Sequence, residues 1–573
     1  MKRLLALLLC LVMVLSLAAC AAKETTTDET PAQPDAEPAA TGSDNSGSSD
    51  EQPQEASGER PTLTIGLAQN PNTVDYETND FTRYLEDSLN VNLDFVYFST
   101  DISDATTQLA LMVSGGERLP DILWGFDGLE INTVYEYGED GYLLDLTDYF
   151  TEETAPNVME QIRNAPEKDR DSILRNGKDP TDGKLYAFPY YVVPGGDNCS
   201  AHVEVNQVFL DKLGMEEPTT VDELYDFMKA VVENDPNGNG EADEIGAIGY
   251  SGYCADLVQF IINAYVYCND KYFFNATDGK IWAPYNTDEY RQALIFVNKL
   301  VSEGLLNTMT FTIPEAGGES EIIPYITPSN QVPIVGVIGG HVLLVSEADN
   351  PVILEYTPLV PLKAETDKGG YAAYNASTLT YVTMITTDCE NPDLAFKLLD
   401  FLSNPDSIRR MRYGTEGQGW EAVTEGESSF GYPANLKVLD SSVWSTQNNQ
   451  TWHTMGGVIS TCINLAPLYV NDGSWASQRS QIFYDVIDAY AQAPVPAEVV
   501  GNLVYSAEES AVVSECSQIL KDYVKQARAL FATGAMDPNN DADWQSYLDA
   551  LEGQGLTAYT EAAQAAYTRM TAN

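Results

Sequence analysis

The chain has 573 residues, 44% of them hydrophobic, and a formal net charge of −56. Its length accommodates roughly two to four domain-sized units, each with material for a core. A surface this acidic repels nucleic acid and anionic lipid, which excludes both as partners, and it accepts an acidic ligand only where cations gather locally.

The first element is a secretory signal. Lys2 and Arg3 precede an apolar run from Leu4 to Leu17, and small residues lead to Cys20. The run is too short to cross a bilayer comfortably. "LAAC" at Leu17–Cys20 resembles the lipobox of bacterial lipoproteins, which implies a signal peptide over 1–19 and lipidation of Cys20. The body is then anchored to a membrane without spanning it. Residues 20–60 carry no aromatic residue and are rich in Ala, Thr, Ser, Pro and acidic residues, so they read as a disordered acidic tether.

The body alternates strand and helix patterns. "TLTIGLA" (62–68) and "VNLDFVYFS" (91–99) read as strands around the helix "DFTRYLEDSL". "DATTQLALMVSGG" reads as a helix with a glycine stop before a short buried strand in "LPDILWG". This β-α-β-α-β order predicts a mostly parallel sheet with helices on both faces, and such sheets take ligands outside the carboxyl ends of their strands. "VDELYDFMKAVVEND" after "PTT", and Asp288 to Leu306, read as amphipathic helices. "VPIVGVIGG" and "YTPLVPL" read as buried strands, "NPDLAFKLLDFLSN" as a helix, and the chain beyond about Ser506 as mostly helical. Glu315 to Asn330 reads as a mobile insertion, and "GKIWAPYN" around Trp282 as an exposed hairpin.

"DPNGNGEADE" (235–244) carries oxygen-bearing side chains at alternate positions. Asp235, Asn237 and Asn239 occupy positions 1, 3 and 5 of an EF-hand-like loop, the backbone carbonyl of Glu241 position 7, and Asp243 position 9. Position 12 is Gly246, so Glu244 has to close the shell, and a regular EF-hand is ruled out. Hard oxygen donors select Ca²⁺ over zinc or copper; the other reading is a solvated Asx-rich turn ending a helix.

Catalytic patterns are missing. His202, His341 and His453 are far apart, and HExxH, GxSxG and P-loop motifs are absent. Cys199, Cys254, Cys268, Cys389, Cys462 and Cys516 form no CxxC pair and read as buried small hydrophobes.

Several stretches together resemble the extracellular solute-binding lipoproteins of carbohydrate ABC importers (family 1). They are the lipobox, "LPDILWG", "DGKLYAFPYY", the helix and acidic loop of Leu213–Ile245, "YGTEGQGWE" and "DPNNDADWQSYLDALEGQGL". The resemblance extends to alginate-binding and LplA-type lipoproteins, and covers essentially everything after the tether. It implies no enzyme but a receptor, built as two α/β lobes of the periplasmic-binding-protein type around a hinge. Residues 61–196 with 328–388 form the first lobe, and 197–327 with 389–573 the second. The receptor holds a carbohydrate in the cleft and hands it to ABC permease subunits. It implies a monomer on the outer face of a bacterial, Gram-positive cell membrane. The variant acidic loop matches one that alginate-binding relatives use for structural calcium.

The resemblance also nominates ligand contacts. Trp124 and Asp127 follow the strand in "LPDILWG"; Tyr190 and Tyr191 end "YAFPYY"; Tyr250 and Tyr253 lie in "GYSGY"; His341 follows "IGG"; and Trp420 ends "GQGW". Aromatic faces stack on the C–H faces of sugars, while polar groups hold the hydroxyls. Where many relatives carry Arg-Lys-Asp, this chain has Val205, Asn206 and Gln207, which favours a neutral oligosaccharide. The alternatives are a peptide or other solute receptor or sensor of the same fold, and a polysaccharide-degrading enzyme using paired carboxylates.

Overall fold

The computed structural model describes residues 60–571 except 127, 166–169, 171–172, 180, 193–201, 253–255, 315–317, 340–349, 374–379, 427–433, 441, 444–445, 455, 457, 461–469 and 471. The signal, Cys20 and almost all of the tether lie outside the described residues. Among the described residues no helix is long and apolar enough to cross a membrane.

Two sheets organise the body. The first is built from β1 (Thr62–Ala68), β2 (Asn92–Phe98), β3 (Ile122–Trp124), β4 (Phe188–Val192), β11 (Thr380–Ile385) and β14 (Ile459–Ser460), in the order β14-β4-β11-β3-β1-β2. The second has β5 (Val203–Asn206), β6 (Ile245–Ile248), β9 (Val335–Gly339) and β10 (Tyr356–Pro358), in the order β10-β5-β9-β6. Two hairpins, β7 (Asn275–Thr277) with β8 (Lys280–Trp282) and β12 (Trp420–Ala422) with β13 (Leu436–Val438), stand apart. The sheets are mixed. β1 runs parallel to β2 and β3, and β6 parallel to β9, whereas β11 and β5 run antiparallel to their neighbours.

The helices start where the sequence supplies caps. Thr220 and Glu223 close a capping box on the helix Val221–Glu233, and Asn79 accepts from the Phe81 N–H ahead of Asp80–Leu89. Asp121 fastens the centre of the first sheet by accepting from Thr64 N at 2.7 Å and Thr64 Oγ1 at 3.0 Å.

Each sheet has its own core. Leu63, Ile65, Leu123, Phe188, Met384 and Trp452 belong to the first; Val205, Phe227, Met228, Leu294, Leu520 and Phe531 to the second. A smaller cluster of Ile248, Tyr250, Ile322 and Ile338 covers the other side of the second sheet.

Sheet and core membership cut across the expected lobe boundaries. β9 and β10, expected in the first lobe, are strands of the second sheet. The helix Pro392–Leu402, Trp452 and Val458, expected in the second, pack in the first core. Strand pairing and burial decide membership, and neither is visible in the local pattern. The segment read as a mobile insertion also differs. It holds the helix Glu319–Ile326, whose Ile322 and Ile326 are fully buried despite Pro324. Its apolar residues recur at helical spacing, which outweighs its glycines. The hairpin at Trp282 is observed, and Cys268, Cys389 and Cys516 are free and buried.

Candidate functional site

Parallel strands leave their carboxyl ends open to ligands, because the connections there set the loops apart. Both sheets carry a cavity at such an end. In the first sheet a cavity of about 170 Å³ is lined by Ala68, Phe98, Ser99, Thr100, Gly125 and Phe126, at the ends of β1, β2 and β3. In the second, a larger cavity of about 460 Å³ opens beside Tyr250, two residues beyond the end of β6.

The larger cavity joins residues that are remote in sequence. Tyr250, Thr310 and Phe311 come from the β6 side; Asp256 and Gln259 from the start of the helix Leu257–Asn263. Asp270 and Lys271 lie on the following loop, and Lys521, Lys525 and Arg528 on the long helix Ala507–Ala532. At its base sits an ion cluster around a buried guanidinium. Arg528, 5% exposed, holds Asp270 Oδ1 through Nη2 at 2.9 Å and Asp256 Oδ2 through Nη1 at 3.4 Å. Tyr285 donates its hydroxyl to the same Asp270 oxygen at 2.9 Å, and Asp256 caps its helix by accepting from Gln259 N at 2.8 Å. Burial pushes the Asp256 carboxyl above the ordinary range. Burial acts the same way on Asp270, but the closer Arg528 charge and hydrogen bond, with that of Tyr285, hold it below. The two carboxylates thus share one guanidinium unequally.

The residues nominated from sequence are not gathered at one point. Tyr250 lines the larger cavity. Trp124 ends β3 at 1% exposure, edge-on to Trp452 with ring centroids 6.0 Å apart, and its indole N–H meets no acceptor among the described residues. Gly125 follows at φ +67°, its N–H on Thr383 Oγ1 at 3.1 Å. Tyr190 and Tyr191 are adjacent on β4, one half-buried and one buried in the first core. Trp420 is buried on β12, donates its indole N–H to Gly414 O at 3.0 Å and carries the Arg409 guanidinium over its ring, a packing arrangement with no open face. Asp127, Tyr253 and His341 lie outside the described residues. Asn206 caps the helix Gln207–Leu213 by accepting from Phe209 N at 2.9 Å.

The sequence reading missed Asp256, Gln259, Asp270, Lys521, Lys525 and Arg528. A signal existed: Lys521, Lys525 and Arg528 recur at i, i+4 and i+7, one face of a helix, in a chain with only 30 lysines and arginines.

The acidic loop joins the helix Val221–Glu233 to β6 and so abuts the strand that leads to Tyr250. Asp235 accepts backbone N–H groups from Gly238, Asn239 and Gly240 at 2.7, 3.1 and 2.8 Å, and the N–H of Gly240 leads in holding its carboxyl low. Asn237 accepts from Asn239 N, Asn239 accepts from Glu241 N, and both amides donate to Asp243. Gly238 and Gly240 supply φ of +75° and +81°, which the tight winding requires. Glu244 is pushed up by burial, with the charges of Asp235 and Asp243 adding to it, and its Oε1 is buried without a partner. A partnerless buried carboxylate oxygen beside two like charges fits a hard cation. No three His, Cys, Asp or Glu side chains among the described residues stand as a ready metal cluster, so amide and carbonyl oxygens have to complete any shell.

The family profile described as bacterial extracellular solute-binding protein matches residues 70–408. The fructooligosaccharide ABC transporter substrate-binding protein FusA of Streptococcus pneumoniae serotype 4 is 27% identical over 260 residues, 44% of this chain and 46% of FusA. The chain thus matches less than half the length of that curated relative. The solved structure of an S. pneumoniae FusA EF-hand mutant in complex with fructo-nystose superposes with a TM-score of 0.67 at 21% identity, covering 89% of this chain and 100% of that one. The alginate-binding protein AlgQ2, solved without calcium ion, superposes at 0.60 with 20% identity, covering 90% and 100%. At these identities the structures establish a shared two-lobe α/β fold.

Proposed function

This chain belongs to the bacterial extracellular solute-binding protein family, and from that premise we propose that it is a carbohydrate receptor of an ABC importer. The observation that carries the reading is the cavity at the carboxyl end of β6. There the rings of Tyr250 and Phe311 stand beside the polar groups of Gln259, Asp256 and Arg528. Sugars need this mixture of flat apolar faces and fixed hydrogen-bonding partners. The fructooligosaccharide relative and the two sugar-binding folds support the class of ligand.

In this reading Tyr250, with Tyr253, contributes from the second lobe. Trp124, Tyr190 and Tyr191 contribute from the first sheet, and Asp127 and His341 complete the contacts. Ligand stabilises the closed form by binding it better than the open one, and the closed form engages the permease. Lipidation of Cys20 holds the receptor to the outer face of the membrane, and the tether gives it reach. The receptor binds and releases without chemical change.

A structural Ca²⁺ in the loop Asp235–Glu244 completes the reading. Asp235, Asn237, Asn239, Asp243 and Glu244, with the carbonyl of Glu241, would hold it. The ion would supply charge neutralisation alone. The chain's own loop fixes the amino end of β6 and, through it, the position of Tyr250.

The test is a thermal-shift screen with neutral oligosaccharides, uronate oligomers and short peptides, each with calcium and with chelator. A ligand at one hundred times its dissociation constant adds about 2.7 kcal/mol of stability. Stabilisation by a saccharide class supports the receptor; stabilisation by peptides alone overturns the ligand class.

A further inference from the structure

Two helices, one from each core, touch through their side chains. The helix Ile131–Glu139 follows the loop beyond β3 and packs in the first core through Val134 and Tyr135. The helix Ala507–Ala532 packs in the second core through Leu520, Val524 and Ala527. Asn132 Nδ2 on the first donates to Ser510 Oγ on the second at 2.9 Å, across 378 residues of chain. The segment entering the long helix straddles the same junction. Val504 packs against the first core, and its neighbours Leu503 and Tyr505 against the second.

Charge is arranged across the junction as well. Glu130 is exposed at the N-cap of its helix and makes no capping bond, so its carboxylate has no local structural task. Burial lowers the Lys521 ammonium, and the Glu130 charge leads in opposing that. Tyr505 and Tyr559, whose hydroxyls burial pushes up, also feel Glu130. Asp270 attracts Lys521 too, but it belongs to the same side of the junction. Glu130 and Lys521 form no direct ion pair among the described residues; Lys521 Nζ bonds the carbonyl of Lys271 at 3.0 Å. Their attraction therefore acts over a gap that solvent reaches from the Glu130 side, and salt screens it.

Both halves of the junction lie at ligand ends. β3 ends at Trp124 shortly before Glu130, and Lys521 lines the larger cavity at the carboxyl end of β6. A hydrogen bond and an attraction made only while those ends are together favour that arrangement over one in which they part. We propose that Glu130 and Asn132 form one half of a latch, and Ser510 and Lys521 the other, and that this latch biases the ligand-free protein towards the closed arrangement of its two sheets. The inference rests on the two-lobe fold and not on the class of ligand. By setting the closed fraction before ligand arrives, the latch scales the apparent affinity for anything that binds the closed form.

Small-angle scattering of the ligand-free protein at low and high salt tests it. The wild type gives compact and extended forms, and its compact share falls as salt is raised. Asn132→Ala lowers the ratio of compact to extended protein about two- to tenfold. Glu130→Lys, which sets ammonium against ammonium, lowers it about two- to fivefold. Adding Lys521→Glu to Glu130→Lys moves the ratio back towards wild type, which damage to a helix end would not do. Asn132→Ala and the salt series carry the test if that charge swap lowers the melting temperature. Low-salt curves that superpose for wild type, Asn132→Ala and Glu130→Lys overturn the latch. A Glu130→Lys shift left unreversed by a swap that keeps the wild-type melting temperature overturns it too. Neither result touches the receptor reading, which is decided by saccharide binding.

Discussion

The buried guanidinium of Arg528 and the partly exposed carboxylate of Asp270 form an ion pair, Nη2 to Oδ1 at 2.9 Å, across 258 residues of chain, with Asp256 held by the same guanidinium at 3.4 Å. One cation thus holds two carboxylates together, and it ties the long C-terminal helix to the strand-end loops of the second sheet.

Removing that cation leaves two carboxylates without it. Arg528→Met is expected to cost less than the roughly 3–5 kcal/mol of a fully buried pair, because the Asp270 side chain is 40% exposed and keeps part of its hydration. Asp256→Asn is expected to cost least of the cluster's substitutions. Burial already favours its neutral form, and its distance to Arg528 is the longer one. Urea denaturation of the variants checks the order; a larger loss for Asp256→Asn than for Asp270→Asn contradicts the unequal sharing.

The acidic loop predicts opposite behaviour of one substitution in two conditions. In calcium, Glu244→Gln weakens the shell and lowers the melting temperature. In chelator it relieves the repulsion from Asp235 and Asp243 and leaves stability equal or higher. Asp235→Ala lowers the melting temperature and removes the response to chelator. Differential scanning in both buffers tests the set, and identical wild-type curves with and without chelator would remove the metal.

His453 predicts a pH dependence. Its Nδ1 meets Thr73 Oγ1 at 2.9 Å and its Nε2 the Val443 carbonyl at 2.9 Å, which ties the segment before β14 to the loop after β1. Burial holds its pKa below the ordinary 6.5. Between the lowered folded value and the unfolded one, the unfolded chain binds more protons, so stability rises with pH there. Its contribution is complete above about pH 6.5 and declines as pH falls towards the folded pKa. His453→Gln flattens that part of the stability profile. An unchanged slope in the variant assigns the titration elsewhere.

Two glycines separate steric from conformational demands. A Cβ on Gly456 would stand 2.4 Å from the Gly125 Cα, backbone against backbone, so Gly456→Ala is expected to cost roughly 1–3 kcal/mol or more. Gly238 has open space around it, but φ is +75°, so Gly238→Ala costs about 1–2 kcal/mol by conformation alone. Because Gly125 follows Trp124, tryptophan fluorescence should shift in Gly456→Ala and stay unchanged in Gly238→Ala.

The local elements were legible. The strand Thr62–Ala68 and the helix Asp80–Leu89 coincide with their patterns, and the capping box at Thr220 begins the helix that its spacing implies. The turn glycines of the acidic loop take the left-handed conformations that a tight loop needs. Trp420 was not legible in the same way. Its ring was a candidate for stacking, and only the tertiary structure shows it buried, with the Arg409 guanidinium over it and its N–H on Gly414.

What the sequence determined by itself is therefore much of the strands, helices and turns, the acidic loop and the family resemblance, because hydrophobic period, caps and glycine conformations act over a few residues. Which sheet receives β9 and β10, and which side chains meet in a cavity, was decided only by tertiary structure. Tyr250, Asp270 and Arg528 become neighbours through burial of apolar helix faces that carry no address in the chain.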